Sequence, residues 1–316
     1  MILILTGGTG GAKFVQGLKQ IVPPGEVAYV VNTGDDLLWW GLHVSPDVDS
    51  ITYALADLLS KERGWGVDGD TFQCLQAMRK LGSPGWFQIG DRDLATHLLR
   101  TELLREGRSL SEATVEIAHC LGIASPIFVM SNDRVETRVR TPAGELSFQE
   151  YFVRERYQVP VEGVRFAGAE SAAPSPGLMT AIEIAELIII APSNPVTSIG
   201  PILAVPGIRQ ALQETSAMIA AISPVVGDAA VSGPAGALMQ TQGWPVSITG
   251  IAHAYSDFLD VLIADVRDQA RTAEVGQLGI RVHCTQTIMR SEADKIALAR
   301  EVLQLLQVRM AARPIA

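Results

Sequence analysis

The run Ile2–Leu5 is apolar without interruption, the pattern of a strand buried on both faces. Gly7-Gly8-Thr9-Gly10-Gly11 breaks the run. From Ala12 to Ile21 the apolar residues Phe14, Val15, Leu18 and Ile21 recur at helical spacing, and Pro23-Pro24-Gly25 ends that helix. Val27–Val31 reads as a second buried strand, so the chain opens with one βαβ unit. Further strands are expected at Ile127–Met130, Val164–Ala167, Leu187–Ala191, Met218–Ile222, Val261–Ala264 and Ile280–His283. Helical patterns fall between them at Ser50–Ser60, Leu94–Glu106, Glu112–Leu121, Gly177–Ala185 and Glu292–Met310, with Ser109 and Glu112 spaced as a capping box. Thr141-Pro142-Ala143-Gly144 separates two short strand-like runs and predicts a hairpin excursion. This alternation predicts an α/β fold: a Rossmann-like, doubly wound, mostly parallel sheet. Between about 64 and 121 the strand signal fades, which predicts a helical insertion or cap within a single domain spanning 1–316.

Composition narrows the function classes. The chain has 316 residues, 47% of them hydrophobic, enough to bury a large core. Its formal net charge is −9, with no basic block, which argues against a nucleic-acid partner. A phosphate-bearing small molecule would need backbone N–H groups, a few cations or a metal. Cys74, Cys120 and Cys284 are far apart and odd in number, so no disulfide framework or zinc knuckle is expected. The apolar start is too short for a signal peptide, and no run is long enough to span a bilayer, so the reading is a cytoplasmic protein without a membrane partner.

Four segments carry candidate chemistry. The first is the glycine loop with Gly8, Thr9, Gly10, Gly11 and Lys13. It lies between a strand and a helix, where backbone N–H groups can cradle an anion, although a tight turn alone would also use glycines. The second is Asn32-Thr33-Gly34-Asp35-Asp36 with Asp47 and Asp49 shortly after. Carboxylates gathered at the carboxyl edge of a sheet suit a hard divalent cation such as Mg²⁺, and one of them could accept a proton from an attacking hydroxyl. Asp49 or Ser50 would equally cap the next helix. The third is Trp86-Phe87 followed by Gly90-Asp91-Arg92-Asp93 and His97. Aromatic, Arg and His side chains suit a flat heteroaromatic ligand, while Asp93 could instead cap a helix. The fourth is Ser193-Asn194-Pro195 with Thr197 and Ser198, a polar rim after the most apolar strand. Nothing between Gly243 and Ala316 stands out as a motif.

In this order, these segments resemble the 2-phospho-L-lactate transferase family of coenzyme F-420 biosynthesis. The match includes Gly7 to Lys13, Asn32 to Asp36, Pro46 to Asp49, Trp86-Phe87 with Gly90 to Leu98, Phe148 to Arg154 and Ala191 to Ile202. The resemblance implies a Mg²⁺-dependent transfer in which the ribityl hydroxyl of the deazaflavin Fo attacks a guanosine diphospho-conjugate of lactate or enolpyruvate. GMP is released, and a homodimer is implied. On the same resemblance, the glycine loop, Ser193, Asn194, Pro195 and Ser198 face the guanosine diphosphate. Asp35 and Asp47 face the metal, Asp35 and Asp49 are catalytic, and Asp49, Trp86, Asp91, Arg92 and His97 face Fo. A related sister group resembles regulators that bind nucleotide-sugars without catalysis. A dinucleotide-dependent oxidoreductase would need a G-x-G-x-x-G loop, and Lys13 stands at its last glycine in the best frame.

Overall fold

The computed structural model describes residues 1–310. In chain order its strands are β1 (Ile2–Thr6), β2 (Val27–Val31), β3 (Leu37–Trp39), β4 (Leu42–Val44), β5 (Ile127–Val129), β6 (Glu136–Thr141), β7 (Gly144–Ser147), β8 (Gly163–Ala167), β9 (Leu187–Ile190), β10 (Met218–Ile222), β11 (Val225–Val226), β12 (Ala229–Ala230), β13 (Val261–Asp265) and β14 (Arg281–Thr285). The α-helices are α1 (Gly8–Leu18), α2 (Pro46–Leu55), α3 (Gln73–Lys80), α4 (Asp91–Arg105), α5 (Leu110–Cys120), α6 (Leu178–Ile184), α7 (Gly200–Ala204), α8 (Ile208–Glu214), α9 (Ala235–Thr241), α10 (Ile248–Tyr255), α11 (Thr272–Gly276) and α12 (Glu292–Met310).

Seven strands form one parallel sheet in the order β14-β13-β10-β9-β1-β2-β5. Both faces are covered, which is why its strands read as continuous apolar runs. Leu3, Leu5, Ile188 and Ile190 point into one core; Ile4, Tyr29, Leu187 and Ile189 point into the other. From β1 the chain proceeds outward to β2 and β5, then returns to build β9, β10, β13 and β14 on the other side. The strand order therefore reverses between β1 and β9, the place where open α/β sheets leave a crevice at their carboxyl ends. No described helix is long and apolar enough to cross a membrane.

Three local expectations are corrected. Val164–Ala167 does not join the central sheet. As part of β8 it pairs antiparallel with β6, which also pairs with β7. Its alternation explains this: Val164 and Phe166 are partly buried against the core while Arg165 is exposed and pairs with Glu145, the signature of a sheet with one wet face. The helix expected from Ser50 begins at Pro46, whose fixed φ and missing N–H suit a first helical position, so neither Asp49 nor Ser50 is its cap. Likewise α4 starts at Asp91. Asp93 does not cap it; the Asp70 carboxylate accepts from the Arg92 and Asp93 amides instead. The capping box at Ser109 and Glu112 is present, and α3, α4 and α5 occupy the helical stretch between α2 and β5.

Candidate active site

A cavity of about 750 Å³ opens at the carboxyl ends of β1, β9 and β10, at the reversal of strand order. Its floor includes Gly7, Gly8, Thr9 and Gly10 at the start of α1, where the free amides of an 11-residue helix offer an anion site. The glycines are required more by packing than by a ligand. A Cβ on Gly10 would run into the Pro192 carbonyl, one on Gly11 into Thr6 Oγ1, and one on Gly7 into the Asp47 carboxylate. Only Gly8 adopts a positive φ (+66°) among them. Ser193 holds the turn closed: its Oγ donates to Gly7 O at 2.8 Å and accepts from Gly7 N at 3.3 Å.

The acidic wall comes next. Asn32, at the end of β2, donates from Nδ2 to Asp47 Oδ2 at 2.9 Å and to Thr197 O at 3.2 Å, and its Oδ1 accepts from Gly34 N. Asp35 and Asp47 are both buried and both line the cavity. Burial, then the neighbouring Asp47 charge, raises Asp35 well above the ordinary carboxylate range. Burial pushes Asp47 up to about 6, partly opposed by hydrogen bonds from Asn32 and the Gly8 amide. Asp35 Oδ1 has no hydrogen-bond partner among the described residues, and neither carboxylate has an ion pair there. A buried, mutually repelling carboxylate pair with an orphaned oxygen fits a hard divalent cation. Asp36 is different. Its Oδ2 accepts from Ser45 Oγ at 2.6 Å and contacts His43 Nε2 at 2.9 Å, so it braces β4.

Two residues apart on α2, Asp47 and Asp49 project roughly 200° apart around the helix. Asp49 therefore leaves the acid pair and meets Arg100 of α4, which engages both of its oxygens. His97 Nδ1 lies 3.5 Å from Asp49 Oδ2 and Nε2 lies 3.3 Å from Asp93 Oδ1. Tyr53 donates to Asp93 at 2.7 Å. Burial raises Asp93, but His97 and Tyr53 beside it outweigh that, and its carboxyl sits below the usual range. Asp49, Asp93 and His97 are close enough to share a metal, their donor atoms lying within 4.8 Å of one another. Arg100 already neutralises Asp49, however, so this cluster fits a cation less well than Asp35 and Asp47.

Of the residues expected at the site, Gly8, Thr9, Gly10, Lys13, Asp35, Asp47, Asp49, His97, Ser193, Asn194 and Ser198 line the cavity. Gly11 and Pro195 are buried and do not line it. Trp86, Asp91 and Arg92 lie outside it. The Asp91 carboxylate accepts from Thr71 Oγ1 and from the Gln73 and Cys74 amides, so it caps α3. Arg92 donates to Asp68 O, and Trp86 packs edge-on against Trp39 at 4.7 Å. Phe87, Phe148 and Phe152 line the cavity, the last two stacked 5.5 Å apart at 6°. Sequence reasoning missed Thr287 to Arg290 and Lys295, from a stretch with no motif, and Arg100. The spacing of Asp93, His97 and Arg100 was the available signal: three polar residues on one face of a helix.

Known proteins resemble the chain along almost its whole length. The family model "2-phospho-L-lactate transferase CofD" matches residues 2–300. A 2-phospho-L-lactate transferase of Methanosarcina mazei is 41% identical over 303 residues, covering 96% of this chain and 99% of that protein. A phosphoenolpyruvate transferase of Streptomyces griseus is 40% identical, covering 97% and 98%. A solved structure from Bacillus halodurans, a member of the upf0052 family, superposes with a TM-score of 0.66 at 17% identity over 96% of this chain and 98% of its own, which shows the shared fold. Matched along almost its whole length, the chain belongs to the 2-phospho-L-lactate transferase CofD family of transferases.

Proposed function

We propose that this protein transfers a phospholactyl or phosphoenolpyruvyl group from a guanosine diphospho-conjugate to the ribityl hydroxyl of the deazaflavin Fo, releasing GMP. The observation that carries the reading is the joining of three chemistries in one cavity: helix-terminal amides at Gly8 to Gly10, the buried Asp35 and Asp47 pair, and an aromatic wall with Phe87, Phe148 and Phe152. Phosphoryl-type transfer depends on positioning and charge neutralisation, and a covalent nucleophile is not required. The acceptor oxygen forms the new bond to phosphorus while the bond to the GMP oxygen breaks.

Asp35 and Asp47 would hold Mg²⁺, which when bound neutralises diphosphate charge. The α1 amides and Lys13 bind the diphosphate, with Ser193, Asn194 and Ser198 at the adjoining rim. Asp49 orients the acceptor hydroxyl or takes its proton, and His97 lies beside it. The enzyme acts as a homodimer, as the family resemblance implies, and in the cytoplasm, as the three scattered cysteines suggest.

Purified protein mixed with Fo, Mg²⁺ and each synthetic donor tests the proposal by mass spectrometry. The expected result is GMP and a phosphodiester-linked Fo product, whose mass identifies the three-carbon acid. Failure to transfer from any donor, with tight binding of a nucleotide-sugar, would overturn the proposal in favour of a regulatory binding protein.

A further inference from the structure

This inference rests on the reading above, in which Asp49 faces the acceptor hydroxyl. Arg100 does not line the cavity, yet it is among the largest fully buried side chains, with 1% of its surface exposed. A guanidinium removed from water is expensive unless it is fully engaged. Here Nη1 donates to Asp49 Oδ2 at 3.2 Å and to the His43 carbonyl at 3.4 Å, Nη2 donates to Asp49 Oδ1, and Nε has no partner among the described residues. The fork therefore grips both carboxylate oxygens and fixes the plane of the Asp49 carboxylate.

The same contacts reach further. Arg100 Nη1 lies 3.4 Å from His97 Nδ1. The fork therefore also packs against the ring that stands between Asp49 and Asp93. One residue on, Thr101 Oγ1 accepts from the His43 amide at 2.8 Å. Arg100 and Thr101 thus hold both backbone groups of His43 in β4, the strand that leads through Ser45 into α2. The first turn of α2 carries Asp47 towards the acid pair and Asp49 towards Arg100. The helix that grips the β4 end therefore also holds the entry to α2, on which both carboxylates sit.

Stability alone does not account for this arrangement. Replacing a buried ion pair with apolar side chains of similar volume is often neutral or stabilising. What an apolar pair would lose is orientation. We propose that Arg100 is a positioning residue: acting through Asp49, it holds the acceptor hydroxyl in line with the phosphorus of a donor bound at Asp35 and Asp47.

The test is steady-state kinetics on Arg100→Met and Arg100→Lys in the intact protein, with circular dichroism to confirm folding and Fo fluorescence to measure acceptor binding. Misplacing a reacting group by about 1 Å costs on the order of 100-fold in rate, so Arg100→Met should lower kcat by about that factor with donor KM unchanged. Arg100→Lys keeps the charge without the fork and should recover only part of the loss. Should Arg100→Met fail to fold, a folded Arg100→Lys with reduced kcat and unchanged donor KM carries the test. In an Asp49→Asn background the effect of the Arg100 substitution should vanish, because both act through one carboxylate. A folded variant with wild-type kcat, or effects of Asp49 and Arg100 that simply add, would overturn the role. Wild-type protein that transfers nothing would instead remove the function proposed above, and this inference with it.

Discussion

Substituting Asp47 by Asn in the metal-free protein gives a direct thermodynamic test of the acid pair. The Asn carbonyl can still accept from Asn32 and the Gly8 amide, so the hydrogen bonds are preserved while the charge is removed. In the wild type, burial pushes Asp47 from 3.8 up to about 6. The unfolded chain therefore releases this proton at lower pH than the folded one. Asp47 lowers stability progressively as pH rises from about 4 to about 6, and the loss is complete above that range. At ~1.4 kcal/mol per pH unit the cost is about 3 kcal/mol at neutral pH. Asp35 acts in the same direction. Asp265, held at about 2 where hydrogen bonds from Arg267 and Thr287 outweigh burial, acts in the opposite one, so the useful quantity is the difference between wild type and variant. Urea unfolding with chelator should show Asp47→Asn gaining on the wild type by up to about 3 kcal/mol between pH ~4 and pH ~7.5. Adding Mg²⁺ should stabilise the wild type through binding linkage and leave the variant almost unchanged. Parallel pH profiles for the two proteins, or equal stabilisation by Mg²⁺, would refute the reasoning.

Asp49→Leu leaves Arg100 buried and unpaired, and should destabilise the protein by about 3–5 kcal/mol in urea unfolding, more than the same change at an exposed aspartate. Gly10→Ala forces α1 away from the Pro192 carbonyl; it should cost about 1–3 kcal/mol and weaken GDP binding in calorimetry. Asp91→Ala removes the cap from α3, so amide exchange at Gln73 and Cys74 should accelerate while amides in α1 keep their protection.

The central sheet was legible because burial on both faces leaves long apolar runs, and the runs at Ile2, Val27, Leu187, Met218 and Val261 all became neighbours in it. The strand at Val164 misled because a short run with Val and Phe looks alike in a central sheet and in a side sheet; only the exposed Arg165 distinguishes them. Within the site, residues at strand ends could be found because glycines and acids stand out against apolar runs. Asp91 and Arg92 show the opposite problem. Their composition suggests a ligand, yet they serve a helix start and a loop carbonyl, and the position of the α3 start depends on a chain reversal that no local pattern records. Arg100 and the stretch Thr287 to Arg290 were hidden for the same reason: each reaches the site only through tertiary packing.

The two aspartates of α2 show how one helical turn divides the chemistry. Rotation around the helix sends Asp47 to Asp35, where two carboxylates repel each other and one oxygen has no partner among the described residues. It sends Asp49 to Arg100, where a cation is already supplied by the protein. The first place would gain from a cation taken from solution; the second would gain little from one. On the proposed function, an acidic protein can in this way bind an anionic donor beside one carboxylate pair and keep a second carboxylate ready for a neutral hydroxyl about half a turn away. Exchanging the two environments, by giving Asp47 a guanidinium partner or depriving Asp49 of its own, should therefore remove metal dependence in the first case and acceptor alignment in the second.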